Sequence, residues 1–324
     1  MPSIPKEYPR IVFVGAHKEA VPPLLYLLSH FENIVGLFTL DAASLSQMSG
    51  GADLETVVAP AKVPVMRGRN ANDPEAVNWI RALHPDILLV VGWTQLIKTQ
   101  LLSVPSIAAL GFHASLLPKY RGRAPVNWAI LNGETETGNT LMVLEPGADQ
   151  GDIVCQREIP IAYDDDCRTV YEKVSQTECE MLGEVLPLIR QGRLPRVKQD
   201  STTATVMPKR RPEDGLIDWG WTSKRLYDWV RALTHPYPGA FTFLAEEKIM
   251  IWKAAAVESS SNDSPGTITL DADGWPMVAT GDGYLRLLHV EREGNGPVSG
   301  LEAARSFLNS APRFRSAPTL RGAA

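Results

Sequence analysis

The chain has 324 residues, of which 44% are hydrophobic and 21% charged, with a formal net charge of −5. This is the balance of a water-soluble globular protein, and no apolar run approaches the roughly 20 residues needed to span a bilayer, so neither a membrane span nor a membrane partner is expected. The N-terminal MPSIPKEYPRIVFVG lacks a basic region followed by an apolar h-region, so no signal peptide is expected either. Cys155, Cys167 and Cys179 lack metal-ligand spacing, and a sparse odd count fits a reducing, cytoplasmic setting. Residues 1–200 hold 18 Lys and Arg against 23 Asp and Glu, and residues 201–324 hold 14 of each. Neither half is a basic platform, which argues against a nucleic-acid partner.

RIVFVGAH predicts a first strand, EAVPPLLYLLSHF a helix and ENIVGLFTL a second strand. DPEAVNWIRALH has helical periodicity with Asp73 as its N-cap. PDILLVVGW is an all-apolar third strand, as expected when both faces of a parallel sheet are covered. This alternation predicts an α/β fold, a Rossmann-like doubly wound parallel sheet. The turn after the first strand reads VGAH and has no G-x-G-x-x-G, so a dinucleotide site is not expected. Open parallel sheets bind ligands beyond the carboxyl ends of their strands, which makes the segment after PDILLVVGW a candidate.

A long helix is predicted over TVYEKVSQTECEMLGEVLPLIRQG. The polar QGRLPRVKQDSTTATVMPKRRPEDG reads as a linker, and SKRLYDWVRALTHPYPGAF as a helix stopped at His-Pro. AFTFL, KIMIWKAAAV, PGTITLDADGWPMVAT and GYLRLLHVE, punctuated by turns, predict a smaller C-terminal β-barrel. SSSND reads as a loop and APRFRSAPTLRGAA as a frayed tail. The expected division is 1–193, a linker over 194–212, and 213–324.

Chemistry concentrates in residues 111–154, GFHASLLPKYRGRAPVNWAILNGETETGNTLMVLEPGADQGDIV. The segment holds His113, a basic cluster of Lys119, Arg121 and Arg123, and Asp149 between glycines. A carboxylate beside an imidazole fixes its tautomer and favours its charged form, and a charged imidazole stabilises an oxyanion or shuttles a proton.

The run H-x-S-L-L-P-x-Y-R-G, followed by an aspartate in G-x-D-x-G-D, resembles the 10-formyltetrahydrofolate-dependent formyltransferases. That family includes methionyl-tRNA, glycinamide ribonucleotide and amino-sugar-nucleotide formyltransferases. PKRRPEDGLIDW is similar to the entry of the C-terminal domain of the methionyl-tRNA enzymes, and PGTITLDADGWPMVATGDGYLRLLHVE to its OB-like barrel. The resemblance implies a donor, 10-formyltetrahydrofolate, no metal, and a catalytic domain over residues 1–193. His113 and Asp149 are then the catalytic pair: His113, polarised by Asp149, stabilises the oxyanion as an amine attacks the formyl carbon, and Asp149 or a held water assists proton transfer. VGWTQLI and EPGAD would line the pterin pocket through Gly92, Leu96, Ile97, Glu145, Gly147 and Ala148. Ser115, Lys119, Arg121 and Arg123 fall on the acceptor side.

One position departs from the pattern. The family usually has asparagine two residues before the histidine, where this chain has Gly111. Losing one donor to a developing oxyanion typically costs about 3–4 kcal/mol.

The acceptor is expected to be a small amine, above all an amino-sugar nucleotide, because YRGRAPVNW and NGETETG look closest to that subgroup. The region TLDAASLSQMSGGADLETVVAPAKVPV carries one lysine and no arginine, which disfavours tRNA. A methionyl-tRNA formyltransferase, a 10-formyltetrahydrofolate hydrolase-like enzyme and a non-catalytic folate-binding protein remain as alternatives. The oligomeric state is open, and a homodimer is compatible with the sequence.

Overall fold

The computed structural model describes residues 8–257, 259, 262–310 and 313–315. The expectations for residues 1–7, for part of SSSND and for residues 311–312 and 316–324 lie outside the described residues. In chain order the elements are β1 (Ile11–Gly15), α1 (Val21–Ser29), β2 (Ile34–Leu40), α2 (Ala42–Ser46), α3 (Glu55–Val58), β3 (Val65–Gly68), α4 (Pro74–Ala82) and β4 (Ile87–Val91). Next come α5 (Thr99–Leu102), β5 (Ala108–His113), β6 (Arg121–Gly122), α6 (Pro125–Leu131), β7 (Glu136–Val143), β8 (Ile153–Pro160), α7 (Cys167–Arg190) and β9 (Val206–Met207). The chain continues with α8 (Ser223–Leu233), β10 (Ala240–Leu244), β11 (Glu247–Val257), β12 (Ile268–Leu270), β13 (Pro276–Ala279), β14 (Tyr284–Arg292), β15 (Pro297–Ser299), α9 (Gly300–Ser310) and β16 (Phe314–Arg315).

Two compact units result. The first takes the described residues up to Val126, then Glu136–Ile161 and Thr169–Lys209; the second takes Asn127–Thr135, Ala162–Arg168 and the described residues from Arg210 onward.

The sheet of the first unit runs β3-β2-β1-β4-β5-β7-β8. Its first five strands are parallel, while β7 and β8 add an antiparallel pair. Alternate residues serve opposite faces. Ile11, Phe13, Leu89, Val91 and Leu110 pack on one side with Leu182, Val185 and Ile189 of α7. Val12, Val14, Leu88, Val90 and Ala109 pack on the other with Val77 and Ile80 of α4. Both faces being dry explains why these strands lack the alternating polarity of a half-exposed sheet. Asp73 stands at the N-cap of α4 with extended backbone but makes no side-chain capping bond. The strand order reverses direction between β1 and β4, which makes their carboxyl ends the crevice where such sheets take ligands.

The second unit is an antiparallel sheet in the order β12-β13-β14-β11-β10-β16, with β15 on the edge of β14. A bridge between Thr267 and Arg313 brings the two ends of that order together, so the sheet curls toward the expected barrel. The helix predicted before His-Pro is α8, capped by Thr222, whose side chain accepts from the Arg225 N–H. Phe314 departs from the expectation of a frayed tail. It is 1% exposed. Its ring stacks on Trp219 and meets Phe307 edge-on. A single apolar anchor among charged residues was invisible to a reading of local composition.

Candidate active site

β5 ends at His113, so the imidazole stands at the carboxyl edge of the parallel strands, beside the end of β4. The ring is almost fully buried. Its Nε2 lies 2.7 Å from the Tyr120 carbonyl oxygen. A carbonyl only accepts, so Nε2 carries the proton. Nδ1 faces Asp149 Oδ1 at 3.6 Å. In the neutral ring this places two acceptors across one gap, a geometry that a proton donor between them, or a second ring proton, would satisfy. The other carboxylate oxygen of Asp149 accepts a 2.8 Å bond from the Gly122 N–H.

The backbone around this pair is bent. Tyr120, Ala124 and Asp149 have φ of 59°, 49° and 53°, and Gly122 and Gly147 have φ of 101° and 119°. Each non-glycine residue in the left-handed region costs roughly 1–2 kcal/mol, so such a conformation persists only where contacts enforce it.

Ser115 and Arg121 are buried on the same loop and bonded within the protein. The Ser115 hydroxyl donates to the Lys119 carbonyl at 2.7 Å. The Arg121 guanidinium donates to Gln199 Oε1 at 3.1 and 2.7 Å. Lys119 and Arg123 are exposed on that loop, and neither forms an ion pair among the described residues. Across the 145–149 loop, Glu145 and Gly147 are exposed and Ala148 is half-buried.

The 91–97 segment is less uniform than expected. Ile97 is buried in the core beneath the sheet edge, whereas Leu96 is 60% exposed. Gly92, with φ of 59°, has no room for a side chain because a Cβ there would meet His17 Cβ at 2.8 Å. Two residues missed by the sequence reading carry this segment's unsatisfied polarity. Trp93 Nε1, a donor, and Gln95 Oε1, an acceptor, are both buried without a hydrogen-bond partner. Both atoms are out of reach of solvent in this conformation, so they mark a buried polar cost in the segment and do not themselves face an open pocket. No sequence pattern marks them, since the signal is the absence of a tertiary partner.

The space above Gly111 is occupied. A Cβ added there would lie 2.7 Å from Leu144 Cδ2 and 3.1 Å from its Cγ. An apolar side chain therefore fills the place beside the histidine strand where a donor was sought. Among the described residues no group of three His, Cys, Asp or Glu side chains could hold a metal ion, and no helix is long and apolar enough to cross a membrane.

Residues 33–186 match the formyl transferase family model, and residues 209–308 match the model of the formyl transferase C-terminal domain. The chain is 34% identical to the methionyl-tRNA formyltransferase of Geobacter sulfurreducens over 305 residues, covering 92% of this chain and 94% of that protein. It is 35% identical to the methionyl-tRNA formyltransferase of Citrifermentans bemidjiense over 292 residues, covering 88% and 89%. Among solved structures it resembles HypX from Aquifex aeolicus in complex with tetrahydrofolic acid, with a TM-score of 0.66 at 18% identity over 94% of this chain and 48% of that one. It also resembles the N-formyltransferase from Helicobacter canadensis in complex with folinic acid and dTDP-3-aminofucose, with a TM-score of 0.66 at 18% identity over 86% and 97%. At that identity the two structures attest the fold alone. The family's formyl donor is 10-formyltetrahydrofolate.

These relatives correct two expectations. An amino-sugar nucleotide is not the favoured acceptor, and tRNA is not disfavoured, because the long matches at 33–35% identity are to methionyl-tRNA formyltransferases. The charge argument failed for structural reasons. Arg67 pairs with Asp53 and Glu55, and Arg69 with Asp41, so the window that was counted left out two arginines that share its surface. Splitting the chain at residue 200 also divided the stretch 193–211, which holds six Lys and Arg against one Asp. Matched by both domain models, and about a third identical to enzymes of this type along nine-tenths of its length, the chain belongs to the formyl transferase family of folate-dependent formyltransferases.

Proposed function

We propose that this protein transfers the formyl group of 10-formyltetrahydrofolate to the amino group of methionyl-tRNA in the cytoplasm. The observation that carries the acceptor is the 34% identity to a methionyl-tRNA formyltransferase over 92% of the chain. His113 and Asp149 are the groups assigned to the chemistry. When bound, the donor supplies a formyl carbon to which a neutral amine nitrogen adds; the amine gives up one proton and the departing N10 gains one. Nδ1 of His113 and Oδ1 of Asp149 face one gap as acceptors and take the proton the amine sheds. The Nε2–H bond to Tyr120 holds the ring in the tautomer that keeps Nδ1 open. The Gly122 N–H bond leaves Asp149 one oxygen free to act. Gly92, Leu96, Ile97 and the 145–149 loop are assigned to the pterin. Lys119 and Arg123 are assigned to the phosphates of the acceptor.

The test incubates the protein with 10-formyltetrahydrofolate and either charged initiator methionyl-tRNA, an amino-sugar nucleotide or buffer. Formyl-methionyl-tRNA with stoichiometric tetrahydrofolate is expected. Release without any amine, or only with the sugar, would overturn the acceptor. His113→Ala and Asp149→Asn are expected to lower kcat by at least about a hundredfold with circular dichroism unchanged. Near-normal turnover in either variant removes the site.

A further inference from the structure

The segment between α7 and the second unit, which by composition reads as a linker, bonds directly to Asp149 and to Tyr120, the residue whose carbonyl holds His113. Val197 forms a two-way bridge with Ile153, at 2.7 and 2.9 Å, next to the loop that carries Asp149. Gln199 follows. Its Nε2 donates to the carbonyls of Asp149 at 2.9 Å and Gly151 at 2.8 Å. Its Oε1 accepts both Arg121 bonds, at 3.1 and 2.7 Å. All four hydrogen-bonding positions used by this one amide tie the Asp149 loop to the loop after His113. Farther on, Thr205 Oγ1 accepts the Tyr120 N–H at 2.8 Å, and the Thr205 carbonyl accepts the Arg121 N–H at 2.9 Å. β9 then pairs in parallel with β6, Arg121 opposite Val206 and Gly122 opposite Met207.

These bonds fall on the strained residues. Tyr120 and Asp149 both hold left-handed backbone, with φ of 59° and 53°. The Tyr120 carbonyl fixes His113 Nε2, and Gly122, the partner of Asp149 Oδ2, lies on β6. The segment thus grips Tyr120 through Thr205, Asp149 through Gln199, and Gly122 through β9.

We propose that residues 197–207 form a strap that orients the catalytic pair, with Gln199 and Thr205 as positioning residues for formyl transfer. The strap sets the direction of His113 Nδ1 and the 3.6 Å gap to Asp149 Oδ1 without touching substrate. This rests on the assignment of His113 and Asp149 as the catalytic pair. Arg121 accordingly belongs to the strap as its anchor, since its guanidinium is committed to Gln199. Neither side chain is part of the core: Thr205 is exposed and Gln199 half-buried. Their replacement therefore leaves the fold intact.

The experiment uses the full chain and compares Thr205→Val, Thr205→Ser, Gln199→Ala and Gln199→Glu with His113→Ala and Asp149→Asn. Valine keeps the shape of threonine and removes the acceptor; serine restores it. Glutamate keeps the acceptor for Arg121 and removes both donors to the Asp149 loop. Thr205→Val, Gln199→Ala and Gln199→Glu are expected to lower kcat by about 10- to 100-fold, as sub-ångström misplacement of reacting groups does, with KM for folate and acceptor within about twofold. Thr205→Ser is expected to recover most of the loss. In nitrogen-15 spectra of histidine-labelled protein, His113 is expected to show the Nε2–H tautomer in the parent chain and a mixture in Thr205→Val. Wild-type kcat and an unchanged His113 spectrum in Thr205→Val and Gln199→Glu would overturn the strap. Retained activity in His113→Ala and Asp149→Asn would instead overturn the catalytic pair, so the two failures are separable.

Discussion

At Gly111 an added Cβ would lie 2.7 Å from Leu144 Cδ2, so an asparagine there requires the leucine to move. Leu144 packs against the core face formed by Val12, Val14 and Val90, and displacing it carries an overpacking cost of about 1–3 kcal/mol. Gly111→Asn alone is therefore expected to lower both Tm and kcat/KM. In Gly111→Asn with Leu144→Ala the amide gains room, and Tm should recover toward that of Leu144→Ala. If the new amide reaches the oxyanion, kcat should rise above that of the parent. Steady-state rates and thermal melts of the three variants test the coupling, and simple additivity of the two substitutions would refute it. A motif comparison detects that an asparagine is missing, but only coordinates identify what took its space.

α8 shows why a charge count over a domain is a weak guide to an RNA partner. Arg225 lies on this helix with its guanidinium carbon 3.8 Å from the centre of the Trp221 ring. In the same unit Arg210 lies over Trp128 and Trp229, at 5.2 and 4.7 Å. Among the described residues these two arginines are held by indole faces rather than by ion pairs, so their positive charge is not cancelled by a contacting carboxylate. Lys224 of the same helix, by contrast, is paired with Asp228. If methionyl-tRNA is the acceptor, Arg225→Ala should weaken tRNA binding and reduce the slope of log affinity against log salt by about one. Filter binding across a salt series measures both. Unchanged affinity and slope would exclude Arg225 from the RNA surface. Averaging cations against all acids hides this distinction, because a paired lysine and an unpaired arginine count alike.

For the molecule as a whole, pH dependence offers a test that does not depend on catalysis. Glu178 of α7 is 1% exposed, and one of its carboxylate oxygens has no hydrogen-bond partner. Burial, reinforced by the charge of Glu19, pushes its pKa well above the usual carboxylate range. At pH below that range Glu178 is protonated in both folded and unfolded chains. As pH rises, the unfolded chain releases this proton first, so the stability due to the neutral form is progressively lost until Glu178 ionises in the fold as well. Glu178→Gln, which mimics the neutral acid, should therefore raise Tm more at pH 8 than at pH 4. Equal shifts at both values would show that Glu178 does not titrate differently on folding.

Much of the fold was legible because its causes are local or periodic. The all-apolar runs at 11–15 and 87–91 announce strands dry on both faces, and the pattern of α7 predicts a long helix packed against them. That His113 and Asp149 come together was an expectation from the motif resemblance, and the structure places their side chains 3.6 Å apart. The antiparallel pair β7–β8 was missed: β7 lies in the segment read for chemistry, and β8 falls between that segment and the predicted long helix. Sequence by itself determined the α/β architecture and the barrel-like second unit, and it singled out His113 and Asp149 as candidates. Tertiary structure alone decided what surrounds that pair: Leu144 above Gly111, and the contacts of Gln199 and Thr205 with loops about 50 and 85 residues away in the chain. The physical reason is that a hydrogen bond across such a separation leaves no period, composition or motif in the sequence on either side of it.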